Sequence, residues 1–320
     1  MKTIGFVKSE LENEDRRSIL PADLKDFTHS SALYFEEGYG EALSISDAAY
    51  EEMGAKIVSR AEALKQDIIC DLKIGRADYL TDLKANQTIF GWVHAENNQE
   101  LVDLLVEKEL TAIAWEDMFD RGRHVFWKNN LIAGEAAILH AYTLFGKLPE
   151  ETKVALIGRG NVSMGAYKIL SALGAEVKIY NRETVENLAE ELGEFDLLVN
   201  GVLWDKSRED HLIYREDLKN FNLPAMIVDI SADEAGAIET SKATFFTDPT
   251  YEVDGVIHYV VNHTPTIFSH SVSRSISKEL VNYLEVLMKD QVEENPVLAE
   301  ATIIKDGKIV DEKIKEARSN

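Results

Sequence analysis

The sequence predicts an α/β protein of two domains, each a mainly parallel sheet flanked by helices, and three observations support this prediction. Short apolar runs alternate with amphipathic stretches along most of the chain, which is the pattern of strands joined by helical crossovers. Between Lys153 and Arg182 a strand, a glycine turn, a helix and a second strand follow in order. The length of 320 residues exceeds what one hydrophobic core usually holds. We therefore expect two Rossmann-like domains with a cleft between them.

The first part of the chain alternates predicted strands with predicted helices. Helices are expected at residues 46–53, which begin with a serine cap, and at 98–108, where Leu101, Leu104 and Leu105 share one face. The apolar runs that predict strands are TIGFV, ALYFEE, AKIV, DIICDLK, TIFGWV and LTAIAW. This part of the chain is therefore expected to form an α/β domain of its own.

The glycine turn (Gly158, Arg159, Gly160) follows an apolar run, residues 154–157, that is typical of a buried parallel strand. Gly158 and Gly160 allow the backbone to turn sharply and to approach a ligand closely. Ser163 stands where the third glycine of a G-x-G-x-x-G motif would be. A glycine motif alone is weak evidence, but the order of strand, turn, helix and strand predicts a dinucleotide site.

The helix after the turn begins near Asn161 and Val162, so its first backbone N–H groups would face a pyrophosphate. Arg159 lies inside the turn and has two interpretations. It contacts the same phosphates, or it is a solvated arginine on an exposed turn.

The second strand ends on Asn181 and Arg182, at the position that contacts the ribose of the adenosine. An NAD site needs a carboxylate there, and a carboxylate would repel a 2′-phosphate. A guanidinium can instead hold that phosphate through two charge-assisted hydrogen bonds, and the amide can donate another. The sequence therefore predicts NADP(H) as the cofactor.

Helices at residues 131–146 and 269–289 are expected to connect the two domains. Residues 133–269 would form the NADP(H)-binding Rossmann domain, and residues 1–132 plus 270–320 the substrate domain. Further predicted strands are DLLVNGV, AMIVDIS and VIHYVVN, and a hairpin is expected at ATIIKDGKIV, which contains Asp-Gly.

Composition excludes several classes of function. With 34 basic and 57 acidic side chains the net charge is −23, which argues against binding to nucleic acid or to anionic membranes. No signal peptide pattern and no apolar run of about 20 residues are present, so we expect a cytoplasmic protein. Cys70 is the only cysteine, which excludes an internal disulfide and a cysteine-based metal cluster within one chain. No metal site is predicted.

Several motifs together resemble a known family. The segments NEDRRSILP, DLKIG, FGWVHAEN, GRGNVS and VDISADEAG occur in the order found in alanine dehydrogenases and saccharopine dehydrogenases. Within that superfamily the GRGN turn, the YNR segment and the C-terminal hairpin look most like N5-(carboxyethyl)ornithine synthases. The resemblance implies NADPH-dependent reductive condensation of pyruvate with the side-chain amine of ornithine, or more weakly of lysine. It also implies a homo-oligomer.

The resemblance assigns roles to residues of the first domain. Arg16 stands five residues before Pro21, as the family's carboxylate-binding arginine does before its proline, and would bind the carboxylate of the keto acid. One of the adjacent arginines, Arg16 and Arg17, is expected to be solvated. Lys73 and His94 follow apolar strands and would transfer protons.

In the second domain the resemblance places Asp233 at the nicotinamide end of the cofactor, as a catalytic residue, and Asn262 close to the ring. The family's glutamine and paired glycines after this aspartate are replaced by Glu234, Ala235 and Gly236.

Two other functions remain open. A simple amino-acid dehydrogenase related to alanine or saccharopine dehydrogenase would use ammonia rather than an amino acid, and it would normally prefer NADH through an aspartate at position 181. A protein that binds NADP(H) without catalysis would act as a sensor or a structural partner, although the presence of Arg16, Lys73 and His94 argues against it.

Overall fold

The computed structural model describes residues 1–96, 98–205, 208–232 and 235–319. The chain divides into two compact units, which we call the first unit (Met1–Phe126 with Ser269–Asn320) and the second unit (Trp127–Phe268). The first unit is thus built from both ends of the chain. No helix in the described ranges is long and apolar enough to cross a membrane.

The strands and helices that periodicity predicts are present in the structure. The strands are β1 (Ile4–Phe6), β2 (Leu33–Glu36), β3 (Lys56–Val58), β4 (Ile68–Cys70), β5 (Thr88–Gly91), β6 (Thr111–Ala114), β7 (Phe119–Asp120), β8 (Arg123–His124), β9 (Lys153–Ile157), β10 (Glu176–Tyr180), β11 (Leu197–Asn200), β12 (Met226–Asp229), β13 (Thr250–Val253), β14 (Val256–Tyr259), β15 (Thr302–Lys305) and β16 (Lys308–Ile309). The helices are α1 (Asp47–Glu52), α2 (Arg60–Ala63), α3 (Gln99–Glu107), α4 (Trp127–Phe145), α5 (Asn161–Ala172), α6 (Leu188–Glu191), α7 (Ser269–Met288), α8 (Pro296–Glu300) and α9 (Glu312–Ser319). Strand β13 and the short helices α2 and α6 carry too little periodicity to be predicted.

The sheet of the first unit has the strand order β16-β15-β6-β5-β4-β1-β2-β3. Strands β1 to β6 pair in parallel. Strand β15 extends the sheet antiparallel to β6, and β16 pairs antiparallel with β15 at the edge. The order reverses between β1 and β4. In open α/β sheets, ligands bind outside the carboxyl ends of the strands at such a switch point.

The sheet of the second unit has the order β10-β9-β11-β12-β14-β13, parallel except for the edge strand β13. Strands β11 and β12 are buried along their whole length, which explains why they appear in the sequence as continuous apolar runs. Here the order reverses between β9 and β11, so the glycine turn that follows β9 lies at the switch point.

Helix α7 fixes the loop that follows β1. The backbone N–H of Arg17 donates to the Ser273 hydroxyl at 2.8 Å, and that of Leu20 donates to the Ser277 hydroxyl at 2.8 Å. Both serines are fully buried on α7. The C-terminal part of the chain therefore holds the N-terminal loop that carries Arg16 and Arg17.

Candidate active site

The glycine turn has the open backbone that a dinucleotide site requires. Gly158 has φ +95°, and a Cβ atom there would lie 2.6 Å from Cγ2 of Val202. A Cβ atom on Gly160, by contrast, would meet no atom within 4 Å. Helix α5 begins directly after Gly160, so its first N–H groups face this open space. The geometry fits a pyrophosphate that closely approaches the backbone.

The serine that replaces the third glycine is accommodated by a hydrogen bond. The hydroxyl of Ser163 is buried and donates to the carbonyl of Ile157 at 2.9 Å, at the end of β9. A Cβ atom on Gly201 would lie 2.5 Å from that hydroxyl oxygen, so Gly201 provides the space. Arg159 and Asn161 are exposed beside the turn, and Val162 is half-buried.

The side chain of Asn181 organises the turn after β10. Its Oδ1 atom accepts from the backbone N–H groups of Glu183 at 2.8 Å and Thr184 at 3.1 Å. The oxygen is thus engaged, and the Nδ2 group remains as the donor. Arg182 is exposed within this turn and forms no ion pair with the part of the chain that the structure describes. Both side chains can therefore donate to an anion beside the end of β10.

A buried polar network joins the ends of β11 and β12, and sequence reasoning missed it. Asn200 donates through Nδ2 to Oδ1 of Asp229 at 2.9 Å and to the hydroxyl of Ser231 at 3.1 Å. The Ser241 hydroxyl donates to the other oxygen of Asp229. Oδ1 of Asn200 accepts from the N–H of Val202, so the network fixes the segment that packs against Gly158.

Asp233 and Asn262 are the two remaining predicted site residues of the second unit. Asp233 lies outside the described residues. Asn262 follows β14 by three positions, is half-buried and donates its backbone N–H to the carbonyl of Thr244 at 3.1 Å. Because β14 is parallel to β12, Asn262 lies on the same edge of the sheet as the glycine turn.

In the first unit, Arg16 is buried against a carboxylate and an aromatic ring. Its Nε donates to Oε1 of Glu14 at 2.7 Å, and its Nη2 forms a second, shorter contact with Oε2. The guanidinium carbon lies 5.3 Å from the centre of the Trp92 ring. Arg16 is thus already arranged to bind a carboxylate through two parallel hydrogen bonds, and here that carboxylate belongs to Glu14.

The expectation that one of the two adjacent arginines is solvated is wrong. Arg16 is 2% exposed and Arg17 is 5% exposed. Arg17 donates to the backbone carbonyls of Glu14, Arg16 and Tyr39, and its guanidinium stacks over the Tyr39 ring. Arg17 therefore stabilises the loop, whereas Arg16 faces a carboxylate.

Lys73 shares the Trp92 ring with Arg16, since its Nζ lies 5.8 Å from the ring centre. Burial, and secondarily the positive charge of Arg16, lower the pKa of Lys73 to about 8. The backbone N–H of Lys73 donates to Asp71 at 2.9 Å, and Asp71 also accepts from the Tyr79 hydroxyl at 2.9 Å. Burial raises the pKa of Asp71 to about 6.

His94 lies in the left-handed region with φ +51°, and its side chain is 54% exposed. Glu116 supports this conformation because it accepts from the N–H of Val93 at 3.1 Å and from the N–H of His94. Its Oε1 is also 3.8 Å from Nδ1 of His94. Burial raises the pKa of Glu116 to about 7.

Sequence reasoning did not find Glu116, although the signal was available. Glu116 follows β6 by two positions, and β6 is the parallel neighbour of β5, which precedes His94. Adjacent parallel strands place the residues after their carboxyl ends side by side. The fold thus places Arg16 and Lys73 against the same Trp92 ring, and it places His94 beside Glu116.

Comparisons with known proteins identify the family of this chain. Residues 6–127 match the family described as alanine dehydrogenase/PNT, N-terminal domain, and residues 181–312 match its C-terminal domain. An N(5)-(carboxyethyl)ornithine synthase from Clostridium botulinum is 33% identical, over 89% of this chain and 97% of its own. One from Lactococcus lactis is 32% identical, over 87% of this chain and 94% of its own.

A solved structure of an L-alanine dehydrogenase has the same fold, with a TM-score of 0.85 at 23% identity, and the match covers 99% of each chain. The relatives therefore extend over both units. The chain belongs to the N(5)-(carboxyethyl)ornithine synthase family within the alanine dehydrogenase superfamily, and it is a nicotinamide-dependent oxidoreductase that acts on CH–NH groups.

Proposed function

We propose that this enzyme uses NADPH to join pyruvate to the side-chain amine of ornithine, which gives N5-(carboxyethyl)ornithine. The observation that carries the proposal is the 33% identity over 89% of the chain to an enzyme named for this product. The reaction consumes one amine, one keto acid, one NADPH and one proton, and it releases water and NADP⁺.

The second unit would bind the cofactor. Gly158, Arg159, Gly160 and the backbone of Asn161 and Val162 would hold the pyrophosphate, because the turn leaves open space at the start of α5. Bound NADPH supplies the hydride that reduces the carbon–nitrogen double bond.

The cofactor's adenosine end would be bound after β10. Arg182 is exposed there, and the Asn181 oxygen is engaged in its own turn, so the two residues present donors rather than a carboxylate. This arrangement favours a 2′-phosphate over a bare ribose hydroxyl.

The first unit would bind the keto acid. This role is supported by the pair between Arg16 and Glu14, in which the Arg16 guanidinium contacts both oxygens of one carboxylate. Lys73 lies on the same Trp92 ring, so a carboxylate held near Arg16 would have an ammonium group beside it.

Proton transfer would then fall to Lys73 and His94. The neutral side-chain amine attacks the keto carbon, and the resulting carbinolamine loses water once its hydroxyl receives a proton. A group with a pKa of about 8 exists in both protonation states near neutral pH, as Lys73 does, and can therefore donate and accept. His94, oriented by Glu116, would serve as the second group.

Asp233 and Asn262 would complete the site at the nicotinamide end, on the basis of the family resemblance. The same resemblance supports lysine as a weaker substrate and a homo-oligomer.

The decisive measurement is the oxidation of NADPH by the purified enzyme with pyruvate and ornithine, lysine or ammonia in turn. We expect turnover with ornithine, less with lysine and none with ammonia, and a lower KM for NADPH than for NADH. Replacing Arg182 with glutamine should raise the KM for NADPH by about 10- to 100-fold, the value of a charged hydrogen bond, and leave that for NADH unchanged.

The matched control is Arg121→Gln, since Arg121 is almost fully exposed on the turn between β7 and β8. Turnover with ammonia alone would instead indicate an amino-acid dehydrogenase. An equal KM for the two cofactors would remove the proposed preference for NADPH.

A further inference from the structure

The switch point of the first unit has two sides, and the proposed reaction uses the β4 side together with Arg16 from the loop after β1, but no residue at the ends of β2 and β3. Lys73, His94 and Glu116 follow β4, β5 and β6. On the other side, at the ends of β1, β2 and β3, lies a second charged cluster centred on Arg60, the first residue of α2.

Arg60 contacts the residues that follow two of these strands. Its Nη1 donates to the carbonyl of Lys8 at 3.0 Å, after β1, and to Oε2 of Glu36 at 3.0 Å, at the end of β2. Glu36 is further fixed because it accepts from the N–H of Lys8 at 2.8 Å. The guanidinium is therefore held firmly along one edge.

The other edge of Arg60 is poorly satisfied. Its Nη2 lies 3.0 Å from Oε1 of Glu10, but no acceptor in the described residues gives this buried atom a well-directed hydrogen bond. The Glu10 side chain is 51% exposed. A half-exposed carboxylate thus stands beside a buried guanidinium nitrogen, where the carboxylate of a ligand could replace it.

A chain of contacts connects Arg60 to Lys73. The guanidinium carbon lies 5.1 Å from the centre of the Tyr79 ring, and the Tyr79 hydroxyl donates to Asp71. Asp71 in turn accepts from the backbone N–H of Lys73. Arg60 and Lys73 are therefore linked through Tyr79 and Asp71 at the same edge of the sheet.

We propose that Arg60 and Glu10 form the subsite for the head group of the amino-acid substrate: Arg60 binds its α-carboxylate and Glu10, displaced from Arg60, binds its α-ammonium group. This inference rests on the proposed function. Ornithine carries an α-carboxylate and an α-ammonium group that a second subsite would bind, whereas ammonia has neither group and would need no such subsite.

The spacing of the strands agrees with this assignment. The Arg60 guanidinium contacts Glu36 at the end of β2, and Lys73 follows β4. Strands β2 and β4 flank β1, so the ends of these two strands are separated by about 10 Å, two strand spacings. An extended ornithine spans about 7 Å from its side-chain nitrogen to its carboxylate, at about 1.2 Å per bond. One hydrogen bond of about 2.8 Å at the carboxylate brings the reach to about 10 Å.

The test compares kcat/KM for ornithine, ornithine α-carboxamide and Nα-acetylornithine, each with saturating pyruvate and NADPH. Wild-type enzyme should prefer ornithine over the carboxamide by about 10- to 100-fold. In Arg60→Gln this preference should fall to less than about threefold, with the KM for pyruvate unchanged. In Glu10→Gln the preference over the acetylated amine should fall in the same way.

Arg318→Gln is the control, because Arg318 pairs with Asp103 in an exposed contact away from the strand ends. Glu10 is half-exposed, so Glu10→Gln decides the matter if Arg60→Gln does not fold. The subsite is refuted, and the proposed function stands, if wild-type enzyme uses ornithine but both variants keep its selectivity for ornithine over the two analogues. The same conclusion follows if wild-type enzyme uses ornithine without any preference over the analogues. If wild-type enzyme turns over none of the amines, the subsite and the proposed function are both refuted.

Discussion

Burial brings the pKa values of several charged groups in the first unit towards neutrality. The pKa of Lys73 falls to about 8, and those of Glu116 and Asp71 rise to about 7 and about 6, because desolvation disfavours the charged form in each case. Such convergence is common where protons are transferred, although buried structural groups show it too. Asp71 and Lys73 follow the carboxyl end of β4, and Glu116 follows that of β6, with β5 between the two strands.

The raised pKa of Glu116 predicts a change in stability with pH. The folded protein binds this proton more tightly than the unfolded chain does, so wild type should lose stability as pH rises from about 4.5 to about 7. Glu116→Gln lacks the titrating group, and its stability relative to wild type should rise over that range by an amount on the order of 2 kcal/mol.

Urea unfolding of both proteins at several pH values checks this difference. Glu116→Gln also loses one acceptor oxygen, which should change its free energy of unfolding by the same amount at every pH. The prediction therefore concerns how the difference in free energy of unfolding between the two proteins changes with pH. Parallel stability curves for the two proteins would contradict the prediction.

At the scale of elements, two glycines allow α4 and α5 to touch along their backbones. A Cβ atom on Gly134 would lie 2.0 Å from the carbonyl oxygen of Val162, and one on Gly165 would lie 1.9 Å from that of Leu131. Gly165 is the glycine that lies two positions beyond the place of the third motif glycine. It serves helix packing, whereas Ser163 makes the contact with β9.

A matched pair of substitutions should separate packing from binding. Gly134→Ala should lower the free energy of unfolding by about 1–3 kcal/mol, because the helices have no room for a methyl group. Gly160→Ser should leave stability nearly unchanged, since the site is open and serine is a favoured N-cap, but should weaken NADPH binding.

Thermal unfolding and NADPH titration of both variants provide the measurements. Equal loss of stability in the two variants, or full NADPH affinity in Gly160→Ser, would contradict this division of roles.

At the scale of the whole molecule, the two units differ in how the chain builds them. The second unit is one continuous segment with its own buried clusters on both faces of its sheet. The first unit needs both chain ends: β15 pairs with β6, and the buried serines of α7 hold the loop of Arg17.

We therefore expect residues 127–268, expressed alone, to fold cooperatively and bind NADPH. Residues 1–126 alone should remain unfolded, because they lack β15 and α7. Circular dichroism during urea unfolding tests both fragments, and NADPH fluorescence tests the first. A folded 1–126 fragment would show that the C-terminal elements are dispensable.

The elements of this protein were largely predictable because each depends on neighbours in the sequence. The buried parallel strands appear as apolar runs, and the glycine turn, α5 and β10 follow one another within 30 residues. Helix α4 begins at Trp127, four residues before its predicted start, because Lys128, Asn129 and Asn130 conceal its first turn in the sequence.

The sequence by itself determined the α/β class, the position of the glycine turn and the presence of Asn181 and Arg182, with no carboxylate at either position, directly after the second strand of that turn. Only the tertiary structure decided which carboxylate faces Arg16, that Arg17 is buried, that Glu116 supports His94 and that Arg60 lies at the same switch point as Lys73. These contacts join residues that follow different strands, and their partners are fixed by the order of strands in the sheet. Periodicity along the chain records burial, but it carries no information about that order.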